Sequence, residues 1–156
     1  MKLRSLLLAG FTTLALSGAA FAGNEAVVVQ SGGYNQSSVT QQGRSNSVQS
    51  YQFGGVNVSD IKQSGRGATN NAGVFQQGGI NVSGVSQAGR SNTLNSAQIG
   101  VVNVSDVSQR GRSNFAAVGQ AGFINASNLT QRGPNNVAGI GQAGAFNFSN
   151  LSQLRR

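Results

Sequence analysis

Asn92 to Ser113 reads N-T-L-N-S-A-Q-I-G-V-V-N-V-S-D-V-S-Q-R-G-R-S, two half-units of eleven residues. Each half runs Asn, five residues, Gln, one residue, Gly, two residues, and then the next Asn. Beyond its first residues the whole chain copies this stretch. The Asn column is Asn24, Asn35, Asn46, Asn57, Asn70, Asn81, Asn92, Asn103, Asn114, Asn125, Asn136 and Asn147. The Gln column is Gln30, Gln41, Gln52, Gln63, Gln76, Gln87, Gln98, Gln109, Gln120, Gln131, Gln142 and Gln153. Every step is eleven residues except one of thirteen. A fixed period of this kind is the signature of stacked supersecondary units.

In the half that starts at Asn103, Ser105, Val107 and Gln109 share the Asn103 face of an extended strand. Equivalent halves carry Ser37, Ser59, Ser83, Ser127 and Ser149 two places after Asn, and Val39, Ile61, Val85, Leu129 and Leu151 four places after it. The alternate halves carry Ala26, Val48, Ala72, Leu94, Ala116 and Ala138, then Val28, Ser50, Val74, Ser96, Val118 and Ile140. This face is small or aliphatic and bracketed by amides, which predicts an interior face.

Between Gln and the next Asn lie Gly32, Gly43, Gly54, Gly65, Gly78, Gly89, Gly100, Gly111, Gly122, Gly133 and Gly144. Glycine reaches positive φ without a Cβ penalty and suits a tight reversal. The pattern predicts an all-β fold, a β-solenoid of six stacked 22-residue strand-turn-strand coils with parallel, in-register sheets of cross-β type. The coils are 24–45, 46–69, 70–91, 92–113, 114–135 and 136–156, with a two-residue insertion in the turn from Gly65 to Thr69. Stacked, the Asn and Gln columns are expected to become amide ladders in which each side chain donates to the copy above and accepts from the copy below. A lone coil buries too little apolar surface to offset its backbone entropy, so coils depend on their neighbours.

Lys2 and Arg4, the apolar run Leu6–Leu16 and Ala20-Phe21-Ala22 read as a secretory signal peptide over residues 1–22. The array starts one residue after the expected cleavage point and ends at Gln153-Leu154-Arg155-Arg156. This reading leaves no cap for either end. Exposed strand edges template further pairing, so end-to-end polymerisation is expected.

Cysteine and histidine are absent, and the acids are Glu25, Asp60 and Asp106. That excludes a disulfide framework and argues against a metal site, a cofactor or an activated nucleophile. The expectation is a protein that is not an enzyme. The formal charge of +8 falls to +6 without Lys2 and Arg4. Arg44, Arg66, Arg90 and Arg112 recur at one turn position, with Arg132 displaced beside Pro134. They form either a gatekeeper row that slows aggregation or an anion stripe for extracellular DNA, acidic polysaccharide or lipopolysaccharide. Val56 with Val58, Ile80 with Val82, Val102 with Val104, Ile124 with Ala126 and Phe146 with Phe148 make an outward apolar stripe of the kind that marks an interface.

The recurring Q-x-G-x-x-N, followed by alternating small and aliphatic residues and a second Gln behind a signal peptide, resembles the curlin repeat of bacterial curli subunits. The resemblance covers Asn24 to Gln153. It implies an extracellular functional amyloid of the biofilm matrix, a cell-surface fimbrium exported unfolded through an outer-membrane pore with periplasmic chaperones. Its partners would be copies of itself and the other curli subunit. The family's major subunit carries a glycine-rich export segment and is acidic. This chain is basic and is expected to start its array at the leader, which resembles the minor, nucleating subunit.

Two other classes compete. A monomeric ligand-binding solenoid, for an anionic polymer or an ice surface, needs a flat ligand ladder, and Thr40, Thr69, Thr93 and Thr130 do not share a column. An enzyme on a β-helix needs acids, bases and long loops, all scarce here.

Overall fold

The computed structural model describes residues 23–65 and 69–156, together with the backbone of 2–7 and 11–17. Six long strands, one per coil, make up the body: β3 (Glu25–Gly43), β4 (Ser47–Gly65), β5 (Asn71–Arg90), β6 (Thr93–Arg112), β7 (Phe115–Arg132) and β8 (Val137–Leu154). They pair in sequence order, each parallel to the next. Like residue sits on like residue: Asn81 on Asn103 and Gln76 on Gln98. The β-solenoid expected from the 22-residue period is therefore the observed fold.

The insertion is absorbed where its cost is least. Ser47 pairs with Asn71, whereas Glu25 pairs with Ser47 and Asn71 with Thr93, so the extra residues lie between β4 and β5 and both ladders keep register.

The two turns of a coil are not equivalent, although the sequence suggests two copies of one turn. At the first, here bend A, Gly32, Gly54, Gly78, Gly100, Gly122 and Gly144 stay paired from coil to coil, so one arm passes into the other without leaving the ladder. Glycine is required there twice over. Gly100 has φ 141°, and a Cβ on it would collide with the carbonyl oxygen of Gly122 in the next coil. At the second, bend B, a glycine such as Gly43 is followed by a second left-handed residue: Ser45 at φ 58°, Ser91 and Ser113 at 54°, Asn135 at 54°. This extra reversal interrupts the strand and separates one coil from the next.

The core lies between the two arms. Each first arm contributes one large and one small inward residue, and the order alternates through the first five coils, the sixth repeating the order of the fifth. Ala26 with Val28 is followed by Val48 with Ser50, then Ala72 with Val74, then Leu94 with Ser96, all buried. Bulk thus faces different heights of the second arm, where Val39, Ile61, Val85, Val107 and Leu129 close the interior. Such volume compensation is what dense packing demands.

The outer edge of β3 is occupied. Strands β1 (Lys2–Leu7) and β2 (Phe11–Ser17) pair parallel with it, Lys2 against Glu25 and Phe11 against Tyr34. The sequence reading left this edge open. Residues 2–7 and 11–17 thus lie along it, where a preceding coil would lie. The side chains on which the signal-peptide reading rests fall outside the described residues. The far edge of β8 has no strand partner among the described residues.

Candidate assembly faces

A carboxamide suits a stack of strands about 4.8 Å apart. Its oxygen and nitrogen lie on opposite sides of one carbon, so identical amides can bond oxygen to nitrogen along the axis indefinitely. Hydroxyls cannot, because one short O–H does not span that rise. The interior shows both cases. The inward hydroxyls of Ser37, Ser59, Ser83, Ser105 and Ser127 are buried without a partner, while the amides form four continuous ladders.

Two ladders are glutamine. In one, each of Gln30, Gln52, Gln76, Gln98 and Gln120 donates its Nε2 to Oε1 of the next coil's Gln, at 2.5–2.9 Å. In the other, Gln41, Gln63, Gln87, Gln109 and Gln131 do the same at 2.8–3.0 Å. Two ladders are asparagine, and they run the opposite way, so the single donor sense expected for both columns does not hold. Asn57, Asn81, Asn103, Asn125 and Asn147 each donate Nδ2 to Oδ1 of the preceding coil at 2.8 Å. In the last ladder, Asn46, Asn70, Asn92, Asn114 and Asn136 donate their backbone N–H to Oδ1 of the preceding Asn at 3.0–3.3 Å. From Asn70 onward Nδ2 reaches the same oxygen.

The direction of each glutamine ladder is locked by the backbone. The second Nε2–H bridges to a carbonyl on the opposite arm: Gln76 to Val58, Gln98 to Val82 and Gln120 to Val104 at 3.0–3.1 Å. Gln41 to Glu25, Gln63 to Ser47 and Gln109 to Thr93 repeat this at the other corner, at 2.9–3.1 Å. Turning the amide over would point its oxygen at that carbonyl oxygen. The donor must therefore face the C-terminal side, and the solenoid is polar along its axis.

The two ends carry complementary unfilled groups. At the N-terminal face Gln30 Oε1 and Asn35 Nδ2 are buried without a partner. Leu7 of β1 and Thr12 of β2 lie in register with them, and neither is an amide. At the C-terminal face Gln142 and Gln153 donate to the carbonyls of Ala126 and Val137, and among the described residues their other N–H has no acceptor. Asn147 and Gln153 are half-buried there, whereas their counterparts inside the stack are buried. The donors of one end match the acceptors of the other.

Arg132, expected out of the arginine column, falls in a different one. Arg90 pairs with Arg112, but Arg132 pairs with Arg110. Arg66 lies outside the described residues. Arg44, Arg90, Arg110, Arg112 and Arg132 are exposed at bend B. Arg110 and Arg132 border a groove of about 250 Å³ with Ser86, Ser108 and Thr130. Sequence reading passed over Arg110, whose only signal was its place directly after Gln109. Asp60 and Asp106 are separated by Gly84 in the register. Asp60 bonds Lys62 at 2.7 Å, and that hydrogen bond, with the carboxylate's charge, raises the Lys62 pKa. Among the described residues no group of three acids, histidines or cysteines gathers as a metal site would require.

The curlin associated repeat matches residues 103–133 by its family model. The matched stretch holds Asn103, Gln109, Gly111, Asn114, Gln120, Gly122, Asn125, Gln131 and Gly133, the same amide and glycine frame that every other coil repeats. Neither a curated protein nor a solved structure matches the chain.

Proposed function

We propose that this stack of curlin-type repeats is the structural subunit of an extracellular, curli-type amyloid fibre, which grows by adding whole solenoids end to end. One observation carries this reading: the unfilled ladder atoms at the two ends are complementary in type, register and direction. A second copy set on the C-terminal face lets Gln142 donate to its Gln30 Oε1 and lets its Asn35 donate to Asn147. Copies set face to face in the opposite sense would oppose donor to donor. Growth is then head to tail, each junction repeating the contact between adjacent coils.

The remaining parts of the reading follow from it. Residues 1–22 would direct export, and while they are attached β1 and β2 occupy the edge that a neighbouring copy needs. Basic character favours the nucleating role over the bulk one, and the export pore, the periplasmic chaperones and the other curli subunit are the implied partners. The arginines at bend B, beside the Ser86–Ser108–Thr130 groove, favour an anionic matrix polymer as an accessory ligand. The role is structural, not catalytic.

The test is aggregation of purified Gly23–Arg156, followed by thioflavin fluorescence with and without preformed seeds and by fibre diffraction. A lag removed by seeds, with spacings near 4.8 and 10 Å, is expected. A chain that stays monomeric and β-rich at high concentration would replace this reading with a ligand-binding solenoid. A very short lag, with seeding of a second subunit at low ratios, would assign the nucleator.

A further inference from the structure

We propose that the apolar ridge along bend A is a lateral contact that pairs two stacked solenoids side by side, each offering the same ridge to the other. This rests on the fibre reading above. Val56, Ile80, Val102, Ile124 and Phe146 fall in one unbroken column. The high exposure of Phe146 belongs to the open end and will fall when a copy stacks there. Ile80 at 47%, Ile99 at 48% and Phe123 at 52% are different. Each already has a coil above and below it, so end-to-end growth cannot cover them. Phe123 leans on Phe146 edge-on at 6.2 Å, which leaves a continuous apolar strip facing sideways.

Charge selects the occupant. No Lys, Arg, Asp or Glu lies in any bend A or at the position after its Asn. The arginines described above stand at bend B, on the other edge of the coil. Two copies that meet through bend A hold their cationic edges apart, whereas contact through bend B would oppose them. A lipid surface fits less well, because interfacial segments flank their apolar face with cations and here the cations sit on the far edge. The ridge is the same surface on both partners, as an isologous contact requires.

Area sets the order of events. Six coils at about 4.8 Å give a ridge about 29 Å long, and at roughly 10 Å width it covers about 300 Å² per copy, well short of the ~800 Å² per partner of stable complexes. Single solenoids therefore stay unpaired. Stacking multiplies the contact along one rigid axis, so later contacts form at high effective concentration. Pairing follows polymerisation.

The deciding measurement is mass per length of fibres grown from the purified chain, by scanning transmission electron microscopy. Two chains per ~29 Å of fibre are expected. A triple variant, Ile80→Thr, Val102→Thr and Ile124→Thr, keeps β-branched side chains that suit a strand. It should elongate at the wild-type seeded rate with half the mass per length. One chain per ~29 Å in the wild type overturns the pairing and leaves the fibre reading intact. A variant that keeps doubled mass also overturns it. Fibres of single width that sediment with phosphatidylglycerol vesicles only when the ridge is intact would overturn it in favour of a membrane surface. A chain that forms no fibre under any seeding removes both this proposal and the function it rests on.

Discussion

Gln76 donates one N–H to Gln98 Oε1 at 2.8 Å and the other to the Val58 carbonyl at 3.1 Å, so a single amide joins two coils along the axis and two arms across it. Strand pairing alone would let arms stack without fixing their separation. The bridging N–H sets both the width of the coil and the sense of the ladder.

Replacing Gln98 with leucine removes this junction at the centre of the stack. Gln76 loses its axial acceptor and Gln120 its axial donor, and both remain buried. Two orphaned atoms at about 1–3 kcal/mol each predict a loss of roughly 2–6 kcal/mol. It should be read as a lower guanidinium midpoint for dissolving fibres of the Gln98→Leu variant.

Gln98→Glu turns the same position into a pH switch. A protonated carboxyl accepts from Gln76 and donates to Gln120, whereas a carboxylate only accepts. Burial raises the folded pKa above the unfolded value near 4.3. With one O–H where the amide has two N–H groups, the acid form leaves the Val82 carbonyl unbridged, so stability is somewhat below wild type under about pH 4 and falls further as pH rises through the folded pKa. Seeded growth of this variant should be fast in acid and slow at neutral pH, a contrast that wild type lacks. A variant equally slow at both pH values would mean that the position is limited by shape, not by donor count.

The glycines of bend A and of the outer sheet face make a matched pair of tests. Gly100→Ala places a methyl group against the Gly122 carbonyl at a φ of 141°, so assembly should be lost or slowed at least tenfold. Gly119→Ala meets nothing within 4 Å and has ordinary φ. Its assembly rate should stay within about a factor of two of wild type. The comparison is made on seeded elongation rates.

Much of this molecule is legible in the chain because spacing alone assigns each residue to a coil, an arm and a face. The twelve-fold Asn and Gln columns locate every ladder amide, and the eleven glycines locate every reversal. Ladder polarity was not legible, because Gln76 and Asn81 both read as amides, and only the carbonyl of Val58 across the coil decides which way Gln76 points. The inequivalence of the bends was hidden for a similar reason. Ser45, Ser91 and Ser113 look like filler between Arg and Asn, yet they carry the second left-handed turn. The pairing of β1 and β2 with β3 is not legible once residues 1–22 are read as a removed segment.

Arg110 and Arg132 offer a test of the bend B groove. Changing both to serine leaves the strand register untouched, because their side chains are exposed. Binding of a polyanion such as heparin to preformed fibres should weaken. Its salt dependence should become shallower, by roughly one unit of log–log slope for each arginine that no longer meets an anionic group. An unchanged salt slope would point instead to a gatekeeper role, which would appear as a shorter lag in the double variant.

The polarity of the stack makes chain termination selective for one end. A Gln142→Leu, Gln153→Leu variant keeps Gln30, Asn35 and the rest of its N-terminal face, so it can dock on the C-terminal face of a growing fibre. Once docked it presents leucine where the next copy's Gln30 and Gln41 need donors. It should therefore cap that end at substoichiometric ratios. The mirror variant, Gln30→Leu with Gln41→Leu, keeps the C-terminal face and should cap the other end. Each double variant also gives up two ladder bonds inside its own stack, and with them the bridges to Ala126 and Val137 in the first and to Glu25 in the second, so the folded stability of both is measured alongside. Single-fibre fluorescence imaging with labelled seeds separates the cases: one variant stops one end, the other stops the opposite end, and a mixture stops both. If either variant alone arrests both ends equally, growth is not head to tail and the amide ladders do not set its direction.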